Sequence, residues 1–244
     1  MRVTLAQIAP KLNRTNLDMV VSLVKEVQSS SDLILFPELS LSGYSLQDKL
    51  FEDAWYIEEL EQLKELSKEI DIVVGAALRE HKRFKNSALY FHKGELLSKH
   101  DKVYLPNYGM FEEARYFQAG DVFESFMVEN RRVSMVVCED LWHKDVHHDL
   151  IAQDPDLILA LVASPARGFL DDGSLEIENK WYGIIQEVAK ECNATLLFVN
   201  RVGFEDGLGF WGGSCVVNSQ GEINFKMKKF TQGLESYDLG SILK

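Results

Sequence analysis

The segment Arg131-Arg132-Val133-Ser134-Met135-Val136-Val137-Cys138-Glu139-Asp140-Leu141-Trp142 constrains this chain most. Its valine-rich run reads as a buried strand, and it stops abruptly at a cysteine, two carboxylates and a tryptophan. In an open α/β sheet, chemistry gathers beyond the carboxyl ends of the strands, which is where Cys138 would sit. A thiol there, just before a turn or helix, faces substrate and backbone N–H donors. The competing reading is a buried structural cysteine acting as a small hydrophobe. Partners elsewhere in the chain must decide between them.

Other apolar runs supply an α/β frame. Residues 3–8 read as a first strand. Asn13 and Thr15 then offer caps to a helix whose apolar face is Leu17, Val20, Val21, Val24 and Val27. Leu33 to Phe36 is a second buried strand, ended by Pro37, so Glu38 lies just past a strand end as Cys138 does. A turn at Ser42–Ser45 and a helix from Ile57 to Glu69 follow. Strands are expected at Ile72–Leu78 and Ala88–His92, with a hairpin at Lys93-Gly94 leading to Glu95–Lys99 and then Lys102. Leu157–Ala163 is a strand ending at Ser164-Pro165, and Ala166–Gly173 a loop. A helix carries Ile177, Trp181, Ile184, Ile185 and Val188, and the last strands fall at Thr195–Val199, Ser214–Asn218 and Ile223–Phe225. Strands alternate with helices early and late while hairpins interrupt the middle. The pattern predicts a mixed α/β system of two sheets with helices outside, as one domain over residues 1–244.

Composition narrows the function. With 244 residues, 46% hydrophobic and 26% charged, the chain has the make-up of an ordinary globular domain. No apolar run approaches the ~20 residues needed to span a membrane, and the amino terminus is too short and polar for a signal peptide. Net charge is −12, which argues against a nucleic-acid partner. Cys138, Cys192 and Cys215 form neither a disulfide framework nor a metal-binding pattern, which points to a reducing cytoplasm.

Cysteine hydrolysis needs a nucleophile, a proton acceptor and a group that stabilises the oxyanion. Cys138, Glu38 and Lys102 supply one of each, although a glutamate after Pro37 also reads as a helix cap and a lysine in a charged loop as solvent-facing. His143 and His147 are four residues apart, but no third or fourth metal ligand accompanies them, and an exposed helix start is the better reading. No cofactor motif stands out: the glycines from Gly203 to Gly213 lack the Lys-Ser/Thr ending of a phosphate loop and read as a flexible, aromatic-bearing loop near a pocket.

At this point the chain resembles the nitrilase, or carbon–nitrogen hydrolase, superfamily. The matching pieces are Phe36-Pro37-Glu38-Leu39 with Ser42-Gly43-Tyr44, Lys102-Val103-Tyr104-Leu105-Pro106, Phe111-Glu112-Glu113-Ala114-Arg115-Tyr116-Phe117 with Ala119-Gly120, Cys138-Glu139-Asp140, and Gly212-Gly213-Ser214 through Glu222. They span nearly the whole chain in the right order. The resemblance implies a four-layer α-β-β-α sandwich, assembly into homodimers or larger homo-oligomers through helical faces, and catalysis without a cofactor. It assigns Glu38 as general base, Lys102 as the catalytic lysine, Cys138 as nucleophile and Glu113 as the second glutamate that orients the lysine and substrate.

Within the superfamily, the pieces around Tyr44, Asp48, Leu105–Gly109 and Cys138–Trp142 look most like the glutamine-amidase domain of NAD synthetases. That likeness implies a small carboxamide substrate, with Tyr44 and Tyr108 lining its pocket; Glu139, Ser164 and, from the Ala166–Gly173 loop expected to close one side, Arg167 are the further candidate contacts. Arg167 would pair with a substrate carboxylate, whereas Phe169 and Leu170 would suit an apolar one. No synthetase ATP-binding segment follows in this sequence, so the expectation is a stand-alone amidase or one paired with a separate ammonia-using synthetase. A nitrilase or N-carbamoyl amino acid hydrolase would use the same residues. An inactive relative serving as a binding module is the non-enzymatic alternative, and it has no physical need for Glu38, Lys102, Glu113 and Cys138 together.

Overall fold

Side chains of a strand alternate between its two faces, and here both faces are apolar. In β8 (Leu157–Val162) every residue is buried. Leu157, Leu159 and Leu161 pack into one core, and Ile158, Ala160 and Val162 into another. Such a strand belongs in the middle of a sheet that is covered on both sides. The computed structural model, which describes residues 1–240 and 242–243, shows why.

In chain order the regular elements begin with β1 (Arg2–Gln7), α1 (Asn16–Val27), β2 (Leu33–Leu35), α2 (Leu50–Asp53), α3 (Glu61–Leu66), β3 (Asp71–Glu80), β4 (Arg83–His92) and β5 (Glu95–Asp101). They continue with α4 (Glu113–Tyr116), β6 (Phe126–Val128), β7 (Arg131–Val137), α5 (Lys144–Gln153), β8 and α6 (Glu176–Glu191). The last are β9 (Thr195–Asn200), β10 (Val202–Glu205), β11 (Leu208–Trp211), β12 (Cys215–Val217), β13 (Ile223–Lys226) and β14 (Gly233–Asp238).

Two six-stranded mixed sheets result, ordered β14-β1-β2-β3-β4-β5 and β13-β12-β9-β8-β7-β6. Strands β1, β2 and β3 run parallel in the first, and β7, β8 and β9 in the second. The sheets bury Val3, Leu35, Val73, Met135, Leu159 and Leu197 between them. Helices α1 and α3 cover the outer face of the first sheet, and α5 and α6 that of the second. This is the four-layer sandwich that the resemblance implied.

Several local expectations change. The segment from Gly203 to Gly213, expected as a flexible loop, is mostly the β10–β11 hairpin, whose pairing runs from Val202–Trp211 to Glu205–Leu208. Asp206 and Gly207 at its tip both have positive φ (49° and 79°), the geometry a tight Asp-Gly hairpin turn requires. The helix expected over Ile57–Glu69 starts as a 3-10 turn over Ile57–Leu60 and ends at Leu66. Strand β4 starts at Arg83 rather than Ala88, because it pairs along the whole of β3. Besides the β10–β11 hairpin, β6 and β14 went unpredicted. Both are edge strands: β6 is apolar but only three residues long, and β14 has partly exposed residues without apolar alternation.

Candidate active site

Both carboxyl-terminal turns that carry the expected chemistry are held in a backbone conformation that favours glycine. Cys138 leaves β7 with φ 47° and opens a 3-10 turn over Cys138–Trp142. Leu39, next to Glu38, has φ 51°. Such residues cost of order 1–3 kcal/mol each and persist only where the surroundings hold them. For Glu38 the hold includes Gly75 of β3: a Cβ there would lie 2.4 Å from Leu39 N and 2.6 Å from the Pro37 carbonyl oxygen. The missing side chain lets the Glu38 turn settle onto the sheet.

Lys102 follows β5, its backbone pinned by a bond from its own N–H to the Asn86 carbonyl and by one from Gly120 N–H to its carbonyl, each 2.8 Å. Its side chain is wholly buried. Nζ donates to Glu38 Oε1 at 2.7 Å and to both oxygens of Glu113 at 2.9 and 2.8 Å. Glu38 also accepts from Asn86 Nδ2 at 2.8 Å and from the Ala163 N–H at 2.9 Å. A buried ammonium is tolerable only with such partners. Burial by itself would lower the lysine's pKa, yet the neighbouring Glu113 and Glu38 hold it well above its usual value. Burial raises Glu113 to about 7, with Glu38 pushing the same way against the pull of Lys102. The half-buried Cys138 thiol is raised well above the usual range, first by burial and then by Glu38. It therefore rests as a thiol and needs a base to become a nucleophile.

The four residues expected to carry chemistry thus converge from both sheets at one end of the sandwich. The substrate-facing set divides. A cavity of about 360 Å³ over Cys138 is lined by Tyr108, Glu139, Ser164 and Arg167, together with Phe111 and Trp142. Tyr108 donates to Glu139 at 2.9 Å, and Arg167 lies over the Phe111 ring at 5.4 Å. Tyr44 is placed differently. It is absent from that lining, and its hydroxyl donates to Glu113 Oε1 at 2.6 Å.

Sequence reasoning missed several members. Asn86 was signalled only by a polar residue inside an apolar strand. Glu205 carried no signal: its Oε1 accepts from the Tyr44 and Ser45 N–H groups at 2.8 and 2.7 Å, and its Oε2 pairs with buried Arg201 at 2.8 Å. Glu176 and Lys180 of α6 also line the cavity.

The model of the family described as carbon-nitrogen hydrolase matches residues 2–240. This chain belongs to the carbon–nitrogen hydrolase family. Its members act on carbon–nitrogen bonds, so the chain is an enzyme of that class. Among curated relatives, the glutamine-dependent NAD(+) synthetase of Synechocystis sp. is 32% identical across 98% of this chain, which spans 46% of that protein. The solved glutamine-dependent NAD+ synthetase of Acinetobacter baumannii superposes with a TM-score of 0.84 at 28% identity, over 99% of this chain and 46% of that one. An amidase from Nesterenkonia sp., solved after Michael addition of acrylamide at its active-site cysteine, superposes at 0.82 with 25% identity. There the match covers 99% of this chain and 94% of the amidase. The chain therefore spans less than half the length of the synthetases it matches.

Two further features of this carbon–nitrogen hydrolase bear on the sequence reading. His143 and His147 do not form an exposed pair. The His143 ring stacks on Tyr104 at 3.6 Å, and the buried His147 bonds the Leu141 carbonyl through Nε2 at 2.8 Å. No helix among the described residues is long and apolar enough to cross a membrane.

Proposed function

We propose that this carbon–nitrogen hydrolase converts a small, polar primary carboxamide, glutamine-like in character, to a carboxylate and ammonia through a thioester on Cys138. The observation that carries the reading is the buried Lys102 clasped between Glu38 and Glu113 beside a protonated thiol. Glu38 takes the thiol proton as Sγ attacks the amide carbon. Lys102 Nζ and the backbone N–H of Glu139 stabilise the oxyanion. The C–N bond breaks as Glu38 returns the proton to departing ammonia, leaving the thioester. Glu38 then deprotonates a water that attacks the same carbon. The C–S bond breaks, the carboxylate leaves and the thiol regains its proton.

The polar lining supports a substrate bearing both charges. Glu139, held by Tyr108, suits an ammonium group, and Arg167 suits a carboxylate. Relatives with a glutamine-dependent synthetase in the same chain support an ammonia-using synthetase as the consumer of the released ammonia. The test compares kcat/KM for glutamine-like amides, N-carbamoyl amino acids and aliphatic nitriles, with Cys138→Ala as the blank. The carboxamide is expected to lead by about tenfold or more, a margin of ~1.4 kcal/mol. A nitrile or carbamoyl compound leading by that margin overturns the substrate class and leaves the thiol chemistry standing. No turnover of any of them, with no adduct on Cys138, supports the binding-module alternative.

A further inference from the structure

One buried carboxylate touches the backbone on both sides of the reacting groups. Asp140 Oδ1 accepts from the Val103 and Tyr104 N–H groups, each at 3.0 Å. Its Oδ2 accepts from the Val137 N–H at 3.0 Å and lies 2.9 Å from His100 Nε2. Val103 follows Lys102 directly, and Val137 directly precedes Cys138. Because β5 belongs to the first sheet and β7 to the second, these bonds cross between the sheets at the end that carries the chemistry. Both side chains are buried, Asp140 at 0% exposure and His100 at 5%. A carboxylate can only accept, so His100 Nε2 donates. The His100 ring is backed by Phe123, 5.0 Å away between centroids.

We infer that Asp140, braced by His100, is a positioning residue that sets the separation of Lys102 from Cys138 for the hydrolysis proposed above. Asp140 is confined to the short turn that Cys138 opens, so its carboxylate has little freedom relative to the nucleophile. Its bonds to Val103 and Tyr104 carry that constraint to the lysine. The bond from Val137 also closes the turn in which Cys138 keeps its φ of 47°. Without the carboxylate, three backbone donors would lose their acceptor, and the two segments would be free to separate.

The experiment compares Asp140→Asn, His100→Phe and His100→Gln with the parent enzyme. The Asp140→Asn amide keeps one acceptor oxygen and sets an N–H donor in place of the other, against either the Val103 and Tyr104 N–H groups or the Val137 N–H and His100. A misplacement of about 1 Å is expected to lower kcat about 100-fold while KM stays within about threefold. His100→Phe keeps a ring against Phe123 and loses the donor, with an expected loss of about tenfold, whereas His100→Gln, which retains an N–H, is expected to stay within about threefold. If Asp140→Asn does not fold, the His100 pair decides. Near-parental kcat in folded Asp140→Asn or in His100→Phe overturns the inference, as do equal losses in the two His100 variants, which would mean packing alone. Alkylation of Cys138 by iodoacetamide needs no substrate and is expected to slow at least about fivefold in Asp140→Asn and His100→Phe, because thiol activation depends on its neighbours. Unchanged alkylation overturns the inference. If the parent hydrolyses no amide yet the alkylation rates differ as stated, the proposed reaction fails and the positioning role stands.

Discussion

The Tyr44 hydroxyl donates to Glu113 Oε1 at 2.6 Å, and the same oxygen accepts from Lys102 at 2.9 Å. The tyrosine therefore joins the Glu38 side of the site to the acid that steadies the lysine. Tyr44→Phe keeps the ring and removes the donor. Hydrogen bonds to charged groups are worth ~1.5–3 kcal/mol, so kcat is expected to fall about 10- to 100-fold. Steady-state ammonia release measures it. A rise in KM with kcat unchanged would instead place the hydroxyl on substrate.

Glu38→Gln is expected to leave a folded enzyme slowed by ~10²–10⁴-fold, the usual worth of a general base. Burial, the larger cause of the raised thiol, persists in this variant, so Cys138 still rests protonated and lacks the group that takes its proton during attack. A loss below about tenfold, measured on protein with a parental circular dichroism spectrum, would remove Glu38 from that role.

Iodoacetamide followed by peptide mass mapping should label Cys138 well before the other thiols and abolish activity in step. Cys192 and Cys215 are 4% and 0% exposed, and burial raises the Cys215 thiol further. Equal labelling of all three in the native protein would contradict the assignment.

The pH profile follows from Glu113. Burial and Glu38 raise it to about 7, so its carboxylate is lost as pH falls through that value. Lys102 then loses one of its two anionic partners, and kcat/KM is expected to decline on the acid side with a midpoint near 7. On the alkaline side the raised Cys138 thiol predicts no gain from thiolate formation up to pH 9, the ordinary value for this group. Activity that climbs steeply between neutrality and that pH would show instead that Cys138 ionises on its own.

Gly75→Ala tests the support under Glu38. Its Cβ would overlap Leu39 N at 2.4 Å, and both are backbone-borne, so neither yields cheaply. Overpacking of this kind costs ~1–3 kcal/mol. Thermal unfolding should drop accordingly, and kcat should fall further than stability alone explains, as Glu38 moves off its line to Cys138.

The sequence by itself determined the strands that matter. Runs such as Leu33–Phe36, Val133–Val137 and Leu157–Val162 are apolar on both faces, and such a run has few places to go other than the middle of a covered sheet. Glu38 and Cys138, which end two of those runs, are forced to the strand ends, so the placement of these two candidate groups was legible from one-dimensional pattern and motif. Tertiary structure alone decided how they meet. Tyr44 and Glu113 are 69 residues apart and Glu205 lies 161 from Tyr44, and no local propensity encodes contacts at such separations. The same is true of Asp140, whose place beside Cys138 was visible but whose bonds to Val103 and Tyr104 depend on one sheet lying on the other. Edge strands β6 and β14 escaped for a related reason: β6 is three residues long and β14 has no alternating apolar signal, and each is a strand through its pairing with β7 or β1.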